Sequence, residues 1–388
     1  MRIVLAPDSF KGSLSAVAVA TAMEQGILSV WPKAEIKKIP IADGGEGTVD
    51  ALVTATGGRI IHENVMGPLG ETVDAYWGIL GEGAHETAVI EMAAASGLPL
   101  VPTEKRDPRI ATTYGTGQLI KAALDHGIRK LIIGIGGSAT NDGGAGMAQA
   151  LGVKFLDEAG KELPLGGAAL AKLATIDLSG IDPQVAEATF LVACDVTNPL
   201  CGPQGASAVY GPQKGATPEM VTELDLALQK YAAVAKAATD KDIASYPGAG
   251  AAGGLGAGLL LFTNAELKPG VQIILETVDF EHLVKQADLV ITGEGSTDFQ
   301  TAFGKAPVGV AKIAQQYQVP VVCLSGGLGH GCEDILQQGI TGLMSIVPQP
   351  MSLEECMSSA PNLLQTATAR LCRLISVGFQ LGCSSEKI

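Results

Sequence analysis

Five short strand-like runs constrain this chain more than any other feature. They are RIVLAP (2–7), EIKKIPI (35–41), DLVIT (288–292), VVCLS (321–325) and GLMSIV (342–347). Helix-like stretches alternate with them at about 14–30, 49–56, 308–318 and 353–375. Strand, helix and strand in succession make a crossover unit, and its repetition gives a parallel sheet wound with helices. The first two runs are separated from the last three by residues of another texture. From Gly58 the segments RIIHENVMG, ETVDAYWGIL and ETAVIEMAAA are joined by GPLG and GEGAHE, which read as hairpin turns. The pattern predicts an α/β protein with a five-stranded doubly wound parallel sheet, residues 1–57 and 287–388. A second, mixed α/β domain, residues 58–286, is inserted into it. Loops at the carboxyl ends of the parallel strands would then meet the inserted domain's loops in a cleft, the usual position for a ligand.

Composition removes several classes of function. A net charge of −14 argues against a nucleic-acid partner, and 4% aromatic residues leave little to stack on bases. The seven cysteines are odd in number and none form a C-x-x-C pair, which fits a reducing compartment and not a disulfide framework. No H-E-x-x-H is present, so a zinc hydrolase site has no support. The most apolar long stretch, 248–262, is too short to cross a bilayer. The strand-like opening MRIVLAPD does not resemble a signal peptide. The expectation is a cytoplasmic protein with no membrane partner.

Residues 131–152, LIIGIGGSATNDGGAGMAQALG, read as strand, glycine loop and helix start. Such a loop leaves backbone N–H groups that an anion can approach closely. Asn141 and Asp142 add an amide and a carboxylate beside it. Acid and glycine recur together in ADGGEGT (42–48), CDVTNP (194–199) and GEGSTD (293–298), and two lysines, Lys11 and Lys305, stand in loops. Ser13 is expected to cap the helix that follows Lys11. No G-x-S-x-G elbow and no Walker A sequence exist. Phosphoryl transfer needs what remains: carboxylates for Mg²⁺, N–H groups and lysines for the moving phosphoryl group, and a carboxylate to orient the attacking hydroxyl. A competing pattern is Gly134-x-Gly136-x-x-Ala139 with Asp157 further on, the layout of a dinucleotide site. A second G-x-G-x-x-G opens GAGAAGGLGAGLL (248–260), without a good strand before it.

Eight segments carry a resemblance to a known family. They are APDSFKGSLSA (6–16), PIADGGEGTVDAL (40–52), MGPLGETVDAYWG (66–78), IEMAAASGL (90–98), IGIGGSATNDGGAGMAQALG (133–152), ACDVTNPLCGPQGAS (193–207), VITGEG (290–295) and FGKAPVGVA (303–311). Together they resemble the bacterial glycerate kinase family, type 1. The resemblance implies a flavodoxin-like domain interrupted by a second α/β domain. It also implies ATP-dependent phosphorylation of D-glycerate at the 2-hydroxyl. The acidic loops call for Mg²⁺, and a monomer or homodimer is expected. Combined with the loops, it gives a set of expected roles. Asp195 or Asp298 would orient the glycerate hydroxyl, with Lys11 acting on the transferred group. Asp8, Ser13, Gly136, Gly137, Ser138, Thr140, Asn141, Asn198 and Lys305 would hold phosphate groups or the substrate carboxylate. Asp43, Glu46, Asp142 and Glu294 would hold Mg²⁺. One position departs from the family, whose members often carry Arg after GEG where this chain has Ser296. Lys305, Lys11 or Arg109 would then supply the cation. The alternatives are phosphorylation at the 3-hydroxyl, an NAD-dependent oxidoreductase, or a sugar-acid sensor without chemistry.

Overall fold

The structure is a computed structural model that describes residues 1–42, 44–81 and 86–384. By its contacts the chain divides into two compact units. One comprises Met1–Ala42, Asp50–Thr56 and Ile274–Ile388, and the other Asp43–Val49 and Gly57–Ile273.

The first unit contains β1 (Arg2–Pro7), β2 (Glu35–Lys38), β3 (Leu289–Thr297), β4 (Val321–Leu328) and β5 (Gly342–Ser345), all parallel. Their order is β2-β1-β3-β4-β5, the flavodoxin-like arrangement. Residues 3–7 of β1 are buried without alternation, as a central parallel strand requires. Ile3, Leu5, Ile291 and Leu324 pack with Val19, Met23 and Ile27 of the helix Ala16–Leu28 and with Leu364 and Cys372 of the helix Ala360–Ser384. The two helices approach closely at Gly26, where a Cβ would collide with the Gln365 carbonyl. The expected cap at Ser13 is corrected. Ser15 caps this helix, its hydroxyl accepting from the Ala18 N–H at 3.2 Å. Ser13 instead donates its hydroxyl to the Met357 carbonyl at 2.8 Å.

The second unit holds a six-stranded sheet. Its strands run, in spatial order, Ala265–Lys268, Thr189–Ala193, Lys130–Gly134, Thr87–Glu91, Thr72–Ile79 and Arg59–Met66. The first four are mutually parallel and the last two join antiparallel. GPLG forms the expected hairpin turn, with the Gly67 N–H donating to the Glu71 carbonyl at 2.6 Å. Residues 82–85 of the GEGAHE turn lie outside the described residues. The helix Pro218–Thr239 begins with Thr217, whose hydroxyl accepts from the Met220 N–H, and with proline in the first turn. The strand Ala265–Lys268 carries only a weak sequence signal, because AELK alternates over just four residues and has no β-branched or aromatic side chain. The stretch 276–286 is two helices, Gly270–Thr277 and Phe280–Val284, parted at Asp279, whose φ is +47°.

Candidate active site

In the first unit, functional groups collect where β1, β3 and β4 end. The Asp8 N–H donates to the Gly293 carbonyl at 2.8 Å, and Asp8 Oδ1 accepts from the Ser9 N–H. This places Asp8 beside the end of β3, close in the sheet to Glu294. Glu294 is 6% exposed, and its Oε1 accepts from the Thr297 hydroxyl at 2.9 Å and the Thr301 hydroxyl at 2.7 Å. Burial pushes its carboxyl up, the two hydroxyls pull it back, and the nearby Lys305 charge also pulls it down. Lys305 Nζ stands 3.9 Å from Glu294 Oε2 and 3.8 Å from Asp298 Oδ1. Lys305 precedes the helix Ala306–Gln316, so its backbone is fixed while its amine stays partly exposed. Asp298 caps the short turn Phe299–Phe303 through the Gln300 N–H. Ser296 is exposed at the same strand end, and Lys11 is exposed in the loop after β1. Thr297 and Thr301 were not expected in the site, although Thr297 lies within GEGSTD. Thr297 and Ser325 are joined at 2.6 Å.

In the second unit, the loop after Lys130–Gly134 is packed from three sides. The Gly136 N–H donates to the Gly44 carbonyl at 3.2 Å, and a Cβ on Gly136 would lie 2.8 Å from Gly45 Cα. The ADGGEGT loop therefore rests on this glycine loop. Asp43 itself lies outside the described residues, and Glu46 is exposed. The Gly136 N–H was expected to bind an anion, but Gly44 already takes it. Gly137 is exposed with φ +75°, a conformation that favours glycine. From another side come Gly253 and Gly254, both left-handed at the start of the helix Ala251–Phe262. A Cβ on Gly253 would strike the Thr140 carbonyl, and one on Gly254 would lie 2.7 Å from Gly143 Cα. The second G-x-G-x-x-G is thus a packing surface for the loop.

Asp142 is corrected as a metal ligand. It is 0% exposed, and its Oδ2 accepts from the Thr113 N–H at 2.8 Å, the Thr113 hydroxyl at 2.9 Å and the Gly146 N–H at 3.3 Å. Its Oδ1 accepts from the Gly144 N–H at 3.1 Å. Burial pushes its carboxyl up, and these donors hold it back down. It ties the loop to the start of the helix Tyr114–Asp125 and leaves no oxygen facing solvent. Asn198 is half-buried, donating to the Gln204 carbonyl and accepting from the Tyr210 hydroxyl at 2.7 Å. Asp195, by contrast, is exposed after the strand Thr189–Ala193, with Oδ1 accepting from the Gly270 N–H at 3.0 Å. Asn141 is fully buried, with Nδ2 donating to the Ser207 hydroxyl at 2.9 Å. Arg109 is held by Asp107 at 2.8 Å, so its charge is partly neutralised.

A further residue escaped the sequence. Lys214 is 1% exposed, and its Nζ donates to Ser138 Oγ and to the Thr140 carbonyl, each at 2.7 Å. A lone lysine between Gly211 and Gly215 gives no periodic sign of burial.

The dinucleotide layout fails on geometry. Asp157 Oδ1 accepts from the Ala159 and Lys161 N–H groups, both at 2.9 Å. It closes a turn beside a separate two-stranded sheet, Lys154–Leu156 with Thr175–Asp177, and not a strand next to the glycine loop.

Two groups of carboxylates, lysines and glycine loops at strand ends define an α/β enzyme that handles anionic ligands. The family profile "Glycerate kinase family" matches residues 3–376, and the chain belongs to that family. It is 55% identical to a glycerate kinase of Bacillus subtilis (strain 168), over 95% of this chain and 96% of that one. It is 49% identical to a glycerate 2-kinase of Escherichia coli (strain K12), over 98% and 99% of the two chains. A crystal structure from Salmonella typhimurium LT2, assigned as glycerate kinase 2, superposes with a TM-score of 0.88 at 48% identity, covering 98% of this chain and 100% of that one.

Proposed function

We propose that this chain transfers the γ-phosphoryl group of ATP to the 2-hydroxyl of D-glycerate, releasing ADP and 2-phosphoglycerate. The observation that carries the reading is the end-to-end similarity to a glycerate 2-kinase, 49% identical over 98% of this chain. The strand-end groups supply matching chemistry. Asp195 and Asp298 are the two carboxylates available to orient the glycerate hydroxyl, since one is exposed and the other lies beside Lys305. Lys305 and Lys11 offset charge on the transferred group, as phosphoryl transfer requires.

Mg²⁺ fits this donor set as a nucleotide-borne ion. Among the described residues no three acidic, His or Cys side chains gather to hold a metal. Mg²⁺ needs only one or two protein carboxylates when phosphate oxygens complete its shell. Glu294 would hold it in this reading, and the ion would neutralise charge on the phosphates. No described helix is long and apolar enough to cross a membrane. A cytoplasmic monomer or homodimer accords with the composition.

The test is ADP release from Mg²⁺-ATP with D-glycerate, followed by phosphorus NMR of the product. A secondary phosphate ester supports the 2-kinase. A primary ester keeps the kinase and moves the reaction to the 3-hydroxyl. No ADP release from folded protein rejects the reading.

A further inference from the structure

A buried ammonium persists only where its N–H groups find acceptors. Lys214 finds two, and both are on the glycine loop: Ser138 Oγ and the Thr140 carbonyl. Among the described residues it forms no ion pair, although the Asp142 charge acts on it from a distance. Two more buried atoms of the same loop, Thr140 Oγ1 and Asn141 Oδ1, have no hydrogen-bond partner. A lysine serving only the fold would be matched by a carboxylate and would leave its surroundings satisfied. Here a buried cation bonds the same loop that carries the two unpaired atoms and the exposed Gly137. Ser138 Oγ accepts from Lys214, which keeps the hydroxyl's own proton for another oxygen. Ser138 itself is 7% exposed, at the boundary between the buried cation and solvent.

We infer that Lys214 is the positioning residue of an anion subsite on residues 137–141, holding the Ser138 hydroxyl so that it donates to a carboxylate or phosphate oxygen of a ligand. The inference rests on the kinase reading for the identity of its anion, which is either glycerate or the nucleotide's phosphates. The ammonium acts through Ser138 and through its field on the loop, and a charge-assisted hydrogen bond of this kind is among the stronger ones. Burial lowers the Lys214 amine to about 7, so its charge, and with it the subsite's grip, weakens as pH rises past that value. The other charged or titratable groups around it are Asp142 on the loop, Arg106, whose backbone packs on Gly215, and Tyr210 on the adjoining helix Ala206–Tyr210.

The experiment is equilibrium titration of the full chain with sodium tripolyphosphate and, separately, with D-glycerate, below and above the lysine's value of about 7. It compares wild type, Lys214→Met and Ser138→Ala, each checked for folding by circular dichroism. Wild type is expected to bind one probe several-fold more tightly at the lower pH. Both variants should weaken that probe by about tenfold or more, the size of a lost charge-assisted hydrogen bond, and Lys214→Met should also abolish its pH response. The responding probe then tells carboxylate from phosphate. Wild-type affinity and pH response for both probes in folded Lys214→Met would overturn the inference. Should that variant not fold, unchanged binding of both probes by Ser138→Ala does the same. Failure of the kinase reading shows separately, as absence of ADP release from wild type, since the titrations need no turnover.

Discussion

Glu294 faces Lys305 with only one of its two oxygens. Oε2 lies 3.9 Å from the ammonium, while Oε1 is held by the hydroxyls of Thr297 and Thr301. The carboxylate is thereby fixed at Oε1, while Oε2 is turned toward the partly exposed ammonium. A group arranged so can exchange its lysine partner for a ligand without losing its orientation.

Lys305→Ala should separate activity from stability. Its side chain is 42% exposed, so the fold should change by no more than about 0.5 kcal/mol. Turnover with Mg²⁺-ATP and D-glycerate should fall about a hundredfold, as for loss of one transition-state charge. Lys305 also pulls the Glu294 carboxyl down. Its removal should therefore shift the acid limb of kcat/KM to higher pH. Steady-state kinetics across pH, beside a thermal melt, reads both effects, and wild-type kinetics would take Lys305 out of the site.

Asp195→Asn keeps an acceptor for the Gly270 N–H and should fold normally. If Asp195 orients the glycerate hydroxyl, turnover drops by about a hundredfold or more. Near-normal turnover would leave Asp195 as a helix cap only and transfer the role to Asp298.

Asp142→Ala should act on the fold. It strips acceptors from the N–H groups of Thr113, Gly144 and Gly146, all within a buried loop. The cost should be on the order of 3 kcal/mol in urea unfolding. A ligand of Mg²⁺ would behave oppositely, with stability kept and the Mg²⁺ requirement raised.

Lys214 predicts a pH-dependent stability of definite sign. Its folded value of about 7 lies below the ordinary lysine value of 10.5. Between these values the unfolded chain binds the proton and the folded chain does not, so stability contributed by this group rises with pH. The slope is at most about 1.4 kcal/mol per pH unit. Unfolding of wild type and Lys214→Met between neutral pH and about one unit above the folded value isolates it, because the slope should vanish in the variant. Parallel curves for the two proteins would mean that Lys214 stays charged throughout.

The sheet of the first unit was legible because most of its strands are compact apolar runs, and the polar β2 alternates, with turn or helix signals between them. The antiparallel hairpin was legible from GPLG. Ala265–Lys268 was not, since its place is set by pairing with Thr189–Ala193 and not by its own residues. In the site, the loops could be read but not the direction in which each side chain turns. NDGG announces a carboxylate among glycines, yet the same pattern serves a ligand or an internal tie. Only the positions of Thr113 and Gly146 decide that Asp142 is internal. Lys214 depends on packing from residues far away in sequence, so no local pattern marks it.

The place of β1 in its sheet has a consequence for the order in which the protein is made. Ile3 pairs in register with Ile36 on one side and with Leu289 on the other. A ribosome releases β1 and β2 early, and two strands alone do not hold together in water. β3 arrives only after the whole second unit, which closes at Ile273, has left the tunnel. Until then an apolar strand with both faces meant for burial waits without its main partner. β1 is thus synthesised long before it is secured, a stage at which exposed apolar strands are prone to pair wrongly.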